Sequence, residues 1–190
     1  MTSQAQTMNT SRPSNVATIL AKFRETGILI FLAVLVIIAT LVERRFFSLH
    51  NFENILLDIS ILAIVAAGET MVIISRNIDI SVGSSLGLCA IVVGLMFKFN
   101  PGVPIIVGLF LGVLLGAVLG SVNGTLVTQF RVPPLIATLG TLSIYRGLVF
   151  LSSGGRQVDP NDIPPDLIAM ARVGPLGIPW IVIVALLISV

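Results

Sequence analysis

Apolar residues in this chain come in long unbroken runs, not in the three-and-four rhythm of a helix that keeps one side in water. The runs are Gly27 to Val42, Ile55 to Ile74, Val82 to Phe97, Ile105 to Val127 and Pro134 to Leu151. About 20 helical residues cross a hydrocarbon core of about 30 Å, so each run predicts a membrane span. A sixth begins at Trp180 and reaches only Val190. That is too short to cross, and a terminal carboxylate inside hydrocarbon would cost several kcal/mol, so the chain reads as truncated. The expected fold is all-α, a polytopic membrane helical bundle of about five complete spans and the start of a sixth.

The segments between the runs agree. Lys98-Phe99-Asn100-Pro101-Gly102 is turn chemistry, Arg131-Val132-Pro133-Pro134 is a short rigid connector, and Ser152 to Pro179 is a long polar loop rich in proline. No small-residue cleavage site follows the first run, only Glu43-Arg44-Arg45-Phe46-Phe47, so it reads as an uncleaved span. Residues 1–18 hold too little apolar content to fold and predict a disordered tail, leaving 19–190 as the membrane part. With the N-terminus inside, the basic residues Arg12, Lys22, Arg24, Arg76 and Arg131 balance Arg44, Arg45, Lys98, Arg156 and Arg172 outside. Charge therefore does not set the orientation.

Composition sharpens the environment. Only 11% of the 190 residues are charged, against about 25% in soluble domains, and mean hydropathy is +1.05. The exterior must be mostly lipid. Net charge is +2 with scattered basic residues, which leaves no footprint for nucleic acid. One cysteine, Cys89, and one histidine, His50, exclude a disulfide framework, a Cys/His zinc site and a CxxC redox pair.

The fourth run carries Gly108, Gly112, Gly116, Gly120 and Gly124 at an unbroken spacing of four. Four residues turn about 400°, so the stripe drifts by only about 40° per repeat and forms one groove along the helix. Such grooves allow close helix packing in lipid, so Gly116→Leu is expected to weaken the fold. Gly83, Gly87 and Gly94 give the third run a smaller face of the same kind.

The polar segment Ser75 to Ser85 separates two apolar runs. Asp79 or Ser81 can cap the following helix, and Asn77 tolerates the left-handed backbone of a tight turn. Two readings stand. One is a broken helix whose N-terminus faces a polar cavity, as in membrane carriers; the other is a capped interfacial turn with an Arg76–Asp79 pair. Glu69 and Asp58, eleven residues apart, share one side of the second run. A carboxylate within a span costs roughly 2.5 to 3.5 kcal/mol, so both should face protein or water. Glu69 either pairs with a basic residue such as Arg146 or lies on a polar pathway. Arg146 can snorkel. His50 is expected in a loop beside Asn51; with no GxSxG, no HExxH and no nucleophile–base pair, hydrolase chemistry has little support. Without GxxxxGK[ST], the chain has no phosphate-loop route to ATP hydrolysis.

The segment Gly68-Glu69-Thr70-Met71-Val72-Ile73-Ile74-Ser75-Arg76-Asn77-Ile78-Asp79-Ile80-Ser81-Val82-Gly83-Ser84 resembles the permease subunits of bacterial ABC importers for monosaccharides, of the ribose, xylose and autoinducer-2 type. Their hallmark here is Gly-Ile-Asp-Leu-Ser-Val-Gly. Phe46 to Asn54, Asn123-Gly124, Ile136 to Gly147 and Ser153-Gly154-Gly155 match in order. Asn77 replaces the usual Gly, and Glu69 stands where an apolar residue is common; the Arg76-Asn77 variant looks most like permeases for rhamnose or autoinducer-2.

The resemblance implies the N-terminal part of a permease of about ten spans in the bacterial inner membrane, N-terminus inside. It would pair with a second permease subunit above an ATP-binding subunit dimer and be served by a periplasmic sugar-binding protein. ATP would be bound by the partner, and this chain would hold no cofactor. The loop Ser152 to Pro179 would meet the binding protein, Arg131 to Pro134 would face the cytoplasm, and the coupling loop would follow the sixth span. Glu69, Arg76, Asn77, Asp79 and Ser81 are the residues expected to line or gate the path. A membrane-embedded enzyme and a truncated, non-transporting remnant or anchor are the alternatives.

Overall fold

The structure, a computed structural model, describes residues 15–172, 174 and 178–189. Among the described residues all regular structure is helical: α1 (Asn15–Val42), a 3-10 turn (Arg44–Phe47), α2 (Leu49–Ile74), α3 (Val82–Phe99), α4 (Ile105–Thr128), α5 (Pro134–Ser153), a second 3-10 turn (Pro160–Asp162), α6 (Pro165–Arg172) and α7 (Trp180–Ser189). Four of these, α2 to α5, are long and apolar enough to cross a membrane, and α1 contributes the apolar stretch Thr26–Val42. The polytopic all-α bundle expected from the sequence is what forms. Most of the expected tail, residues 1–14, lies outside the described residues, and α1 starts at Asn15.

The chain divides into two compact units, residues 1–52 and 53–190. In the first, the turn after α1 is built from its own polar side chains. Glu43 Oε1 accepts from the Arg45 amide at 3.1 Å, and the Ser48 hydroxyl accepts from the Asn51 amide at 3.3 Å, the geometry of a helix N-cap. Asn51 Nδ2 donates back to the Phe46 carbonyl at 2.8 Å. His50, expected in a loop, therefore lies in the first turn of α2, because Ser48 starts that helix earlier than the apolar pattern alone suggests.

In the second unit α3 is central and packs mainly on α5 and α4. Leu88, Leu119 and Tyr145 form the core, flanked by Cys89, Ile91, Val92 and Val149. The Tyr145 hydroxyl donates to the Leu119 carbonyl at 3.0 Å, tying α5 to α4. Large apolar side chains such as Val113 (74% exposed) and Leu151 (78% exposed) point outward, whereas Ser60, Ser81, Asn123, Thr138 and Thr141 are buried. That is the distribution lipid requires, with polar groups turned to protein. Ser60, Thr138 and Thr141 satisfy their hydroxyls on carbonyls of their own helices.

The glycine stripe of α4 is used unevenly. A Cβ at Gly108 would run into the buried Phe97 ring, 2.7 Å from Cε2, and one at Gly112 would touch Val93 at 3.7 Å. At Gly116, Gly120, Gly124 and Gly83 nothing among the described residues lies within 4 Å, and at Gly87 the nearest atom is Val149 Cγ2 at 4.0 Å. Among the described residues the stripe is therefore in close contact only at its Gly108–Gly112 end.

The polar loop after α5 is also more ordered than its prolines suggest. Gly154, at φ 60°, ends α5 in the left-handed conformation, and the Gly155 amide returns to the Phe150 carbonyl at 3.2 Å. Pro160 and Pro165 then occupy first-turn positions, where a missing N–H costs nothing, so they start short helices instead of breaking them.

Candidate functional site

The connector from Ser75 to Ser81 is where backbone and chemistry meet. α2 ends in a Schellman turn: the Asn77 amide donates to the Val72 carbonyl at 3.1 Å and the Arg76 amide to the Ile73 carbonyl at 2.8 Å. The left-handed residue this motif demands is Arg76, at φ 61°, not Asn77 as its residue type suggested. Asn77 instead donates through Nδ2 to the Ser75 carbonyl and hydroxyl, both at 3.0 Å. Arg131, at φ 54°, closes α4 with the same backbone conformation.

Beyond Asn77 the chain turns into the bundle. Asp79 Oδ1 accepts from the Ser81 amide and from the Ser81 hydroxyl, each at 2.7 Å. Neither side chain makes the N-cap bond expected of it. The Ser81 carbonyl serves the first turn of α3, accepting from the Ser84 and Ser85 amides at 2.9 Å each, which frees the side chains for contacts across the bundle. Asp79 also makes no pair with Arg76: its second oxygen, Oδ2, accepts from Asn123 Nδ2 at 3.1 Å, and the same Nδ2 donates to the Ser81 hydroxyl at 2.7 Å. Arg76 stands exposed.

This three-residue network is deep. Ser81 is fully buried and Asn123 is 6% exposed. Asn123 lies five residues before the end of α4, which places the network about 7.5 Å inside that helix end. A carboxylate has about four acceptor positions, of which Asp79 uses three, and the N-terminus of α3 beside it favours negative charge. Asn123 Oδ1 is buried without a hydrogen-bond partner.

Asp79 and Asn123 sit at one end of a groove of about 870 Å³ between α3 and α4, closed on one side by Ile64 and Val65 of α2. Gly112, Gly116 and Gly120 line it on α4, with Ser85 and Cys89 on α3, and its far end is bounded by Phe97, Gly108, Ile163 and Leu167. The walls are apolar and the polar groups gather at one end.

Of the residues expected on the path, the structure brings Asp79 and Ser81 together. Arg76 and Asn77 occupy the connector's exposed side and its local turn, and Glu69 is half-buried in α2. Glu69 forms no ion pair with Arg146, which is exposed on α5. Asn123 completes the network and is absent from the expected set. The signal for it was present: an amide in an otherwise apolar span must find partners inside the protein, by the same argument that singles out Glu69.

Comparison with known proteins bears on this arrangement. The profile of the family described as branched-chain amino acid transport system / permease component matches residues 51–190. The chain belongs to this permease family. Over 163 residues, 82% of the chain, it is 37% identical to the autoinducer 2 import system permease protein LsrC of Yersinia pseudotuberculosis serotype O:3 (strain YPIII). Over 166 residues, 83% of the chain, it is 39% identical to the LsrC protein of Yersinia enterocolitica serotype O:8 / biotype 1B (strain NCTC 13174 / 8081). The chain spans 45% and 46% of the length of these two curated relatives. No solved structure matches. The resemblance to importer permeases drawn from residues 68–84 and the later motifs therefore holds, and the family and the apolar helices together mark the chain as membrane-embedded.

Proposed function

We propose that this permease chain is part of an ATP-driven importer of the bacterial inner membrane that carries a monosaccharide-sized, hydroxyl-rich solute by alternating access, without covalent chemistry on the solute. The observation that carries the reading is the buried Asp79–Ser81–Asn123 network at the end of the α3/α4 groove. A carboxylate turned into the interior of a membrane bundle is costly to place there and is characteristic of a solute or ion pathway. The remaining acceptor position of Asp79 suits a solute hydroxyl, and the apolar groove walls offer such a solute no competing bond along the way. Glu69, Arg76 and Asn77 are assigned to the approaches of the same path.

The import system that gives the LsrC relatives their name makes autoinducer 2 the first solute to test, with rhamnose the second. In this reading an ATP-binding subunit dimer supplies the energy, so the chain needs no cofactor of its own; a second permease subunit completes the channel, and a periplasmic binding protein delivers the solute to the segment after α5. Asp79→Asn keeps the shape and removes the charge. One charge-assisted hydrogen bond is worth about 1.5–3 kcal/mol, so uptake by cells should fall at least roughly tenfold while the amount of protein in the membrane is unchanged. Uptake at the wild-type rate would sink the assignment of Asp79. Failure of the tagged chain to bring down an ATP-binding subunit from gently solubilised membranes would sink the importer reading itself.

A further inference from the structure

We propose that the segment from Val158 to Leu167 is a hinged lid over the end of the groove opposite Asp79, latched by the ion pair between Lys98 and Asp162. The segment is internally rigid. Asp159 Oδ1 accepts from the Asn161 amide at 2.9 Å and from Asn161 Nδ2 at 2.7 Å, and the Asp162 amide donates to the Asp159 carbonyl at 2.9 Å. The Ile163 amide donates to the Pro160 carbonyl at 3.2 Å, so the 3-10 turn moves as one piece.

Over the groove its tethers are of three kinds, and at its far end α6 continues to Arg172 and packs on α7. Lys98 Nζ, in the last turn of α3, donates to Asp162 Oδ2 at 2.7 Å, and both side chains remain partly in solvent, 40% and 30% exposed. Val158 rests against the bare backbone of Gly94, where an added Cβ would stand 3.1 Å from Val158 Cγ2. Ile163 and Leu167 reach over to line the groove beside Phe97 and Gly108. Just before the segment, Gly154 and Gly155 hold φ values of 60° and 73°, a pair of residues able to absorb a backbone rotation. A rigid piece between the glycine pair and the α6–α7 contact, held over the groove by one exposed ion pair and a small apolar contact, opens at low cost, because a pair of this exposure biases an open–closed balance by no more than about fivefold. The lid depends on the importer reading for its purpose but not for its test.

Cys89 lines the groove and is the chain's sole cysteine, so it reports access to the groove directly. In sealed vesicles holding the full chain, the rate at which a charged, membrane-impermeant maleimide modifies Cys89 should rise roughly two- to fivefold in Lys98→Glu and in Asp162→Lys. The double swap, which restores opposite charges, should return the rate to near wild type. Hydrogen exchange run in parallel should show unchanged protection in α5. Equal Cys89 rates in all four proteins would overturn the lid, as would a double swap faster than either single variant, or a rise accompanied by loss of protection in α5. None of these readouts requires transport, so a chain that failed the uptake test could still pass this one.

Discussion

Asp79 and Asn123 should be energetically coupled, and a double-mutant cycle measures by how much. Asn123→Ala removes the 3.1 Å bond to Asp79 Oδ2 and the 2.7 Å bond to the Ser81 hydroxyl. In soluble proteins these would be worth about 1.5–3 and 0.5–1.5 kcal/mol, but interhelical hydrogen bonds measured in membranes average about 0.6 and reach about 1.7 kcal/mol. The same truncation also removes the partnerless Oδ1, whose burial costs about 1–3 kcal/mol. The single variant therefore nets anything from near zero to about 2 kcal/mol and decides little. The cycle of Asp79→Ala, Asn123→Ala and the double variant cancels the orphan, because it is lost in both legs that change Asn123. What remains is the charge-assisted bond, which, buried at the edge of a low-dielectric bundle, should lie near the upper membrane value, about 1–1.7 kcal/mol. The assay is unfolding in mixed micelles titrated with a denaturing detergent. Ser121, whose hydroxyl bonds only its own helix at Ala117, provides the additive control with Asp79. A coupling below about 0.3 kcal/mol, within the scatter of independent sites, would refute the network as a joint between the connector and α4.

Other substitutions test other joints. Gly108→Ala drives a methyl into the buried Phe97 ring and should cost about 1–3 kcal/mol, whereas Gly116→Ala, with open space before it, should shift the melting temperature in detergent hardly at all. Arg76→Gly relieves a left-handed backbone that costs an L-residue about 1–2 kcal/mol, and after the larger entropy of the unfolded glycine it should stabilise by about 0.5–1 kcal/mol in the same unfolding assay. Tyr145→Phe deletes a hydroxyl whose acceptor, the Leu119 carbonyl, already serves its own helix; the loss should be about 1 kcal/mol, and a change above about 3 kcal/mol would mean that the α4–α5 joint carries more than this bond.

The spans were legible because hydrocarbon imposes length and apolarity on every crossing helix, and both can be read residue by residue. The connector was legible as a place and not as a geometry. Asp79 and Ser81 are good capping residues, so local chemistry assigns them to the α3 terminus; the bundle instead turns their side chains toward Asn123, a partner 44 residues beyond Asp79. Local rules cannot anticipate that choice, because the competing bond belongs to tertiary packing. The left-handed residue shows the same limit. Asn77 is the better candidate by type, but the Schellman register is set by where α2 runs out of carbonyls, and that register falls on Arg76. The segment Ser152 to Pro179, read as one long polar loop, holds short helices that Pro160 and Pro165 start once the chain has turned back at Gly154.

The glycine stripe of α4 looks from sequence like one device, and its two ends meet different surroundings among the described residues. At Gly108 the missing side chain lets the Phe97 ring lie against helix backbone, a contact that any larger residue would push apart. At Gly116, Gly120 and Gly124 no atom of the described residues lies within 4 Å of an added Cβ. Their absent side chains leave the groove floor bare, from the middle of α4 down to Asn123 and Asp79. Four-residue spacing keeps both ends on one face, since the drift of about 40° per repeat carries the bare strip along the helix without turning it away from α3. If the two uses are distinct, they should separate by mutation: small side chains at Gly116 and Gly120 should leave folding intact and hinder passage, while Gly108→Ala should damage folding first. Equal loss of folding at both ends of the stripe would mean that it serves packing throughout.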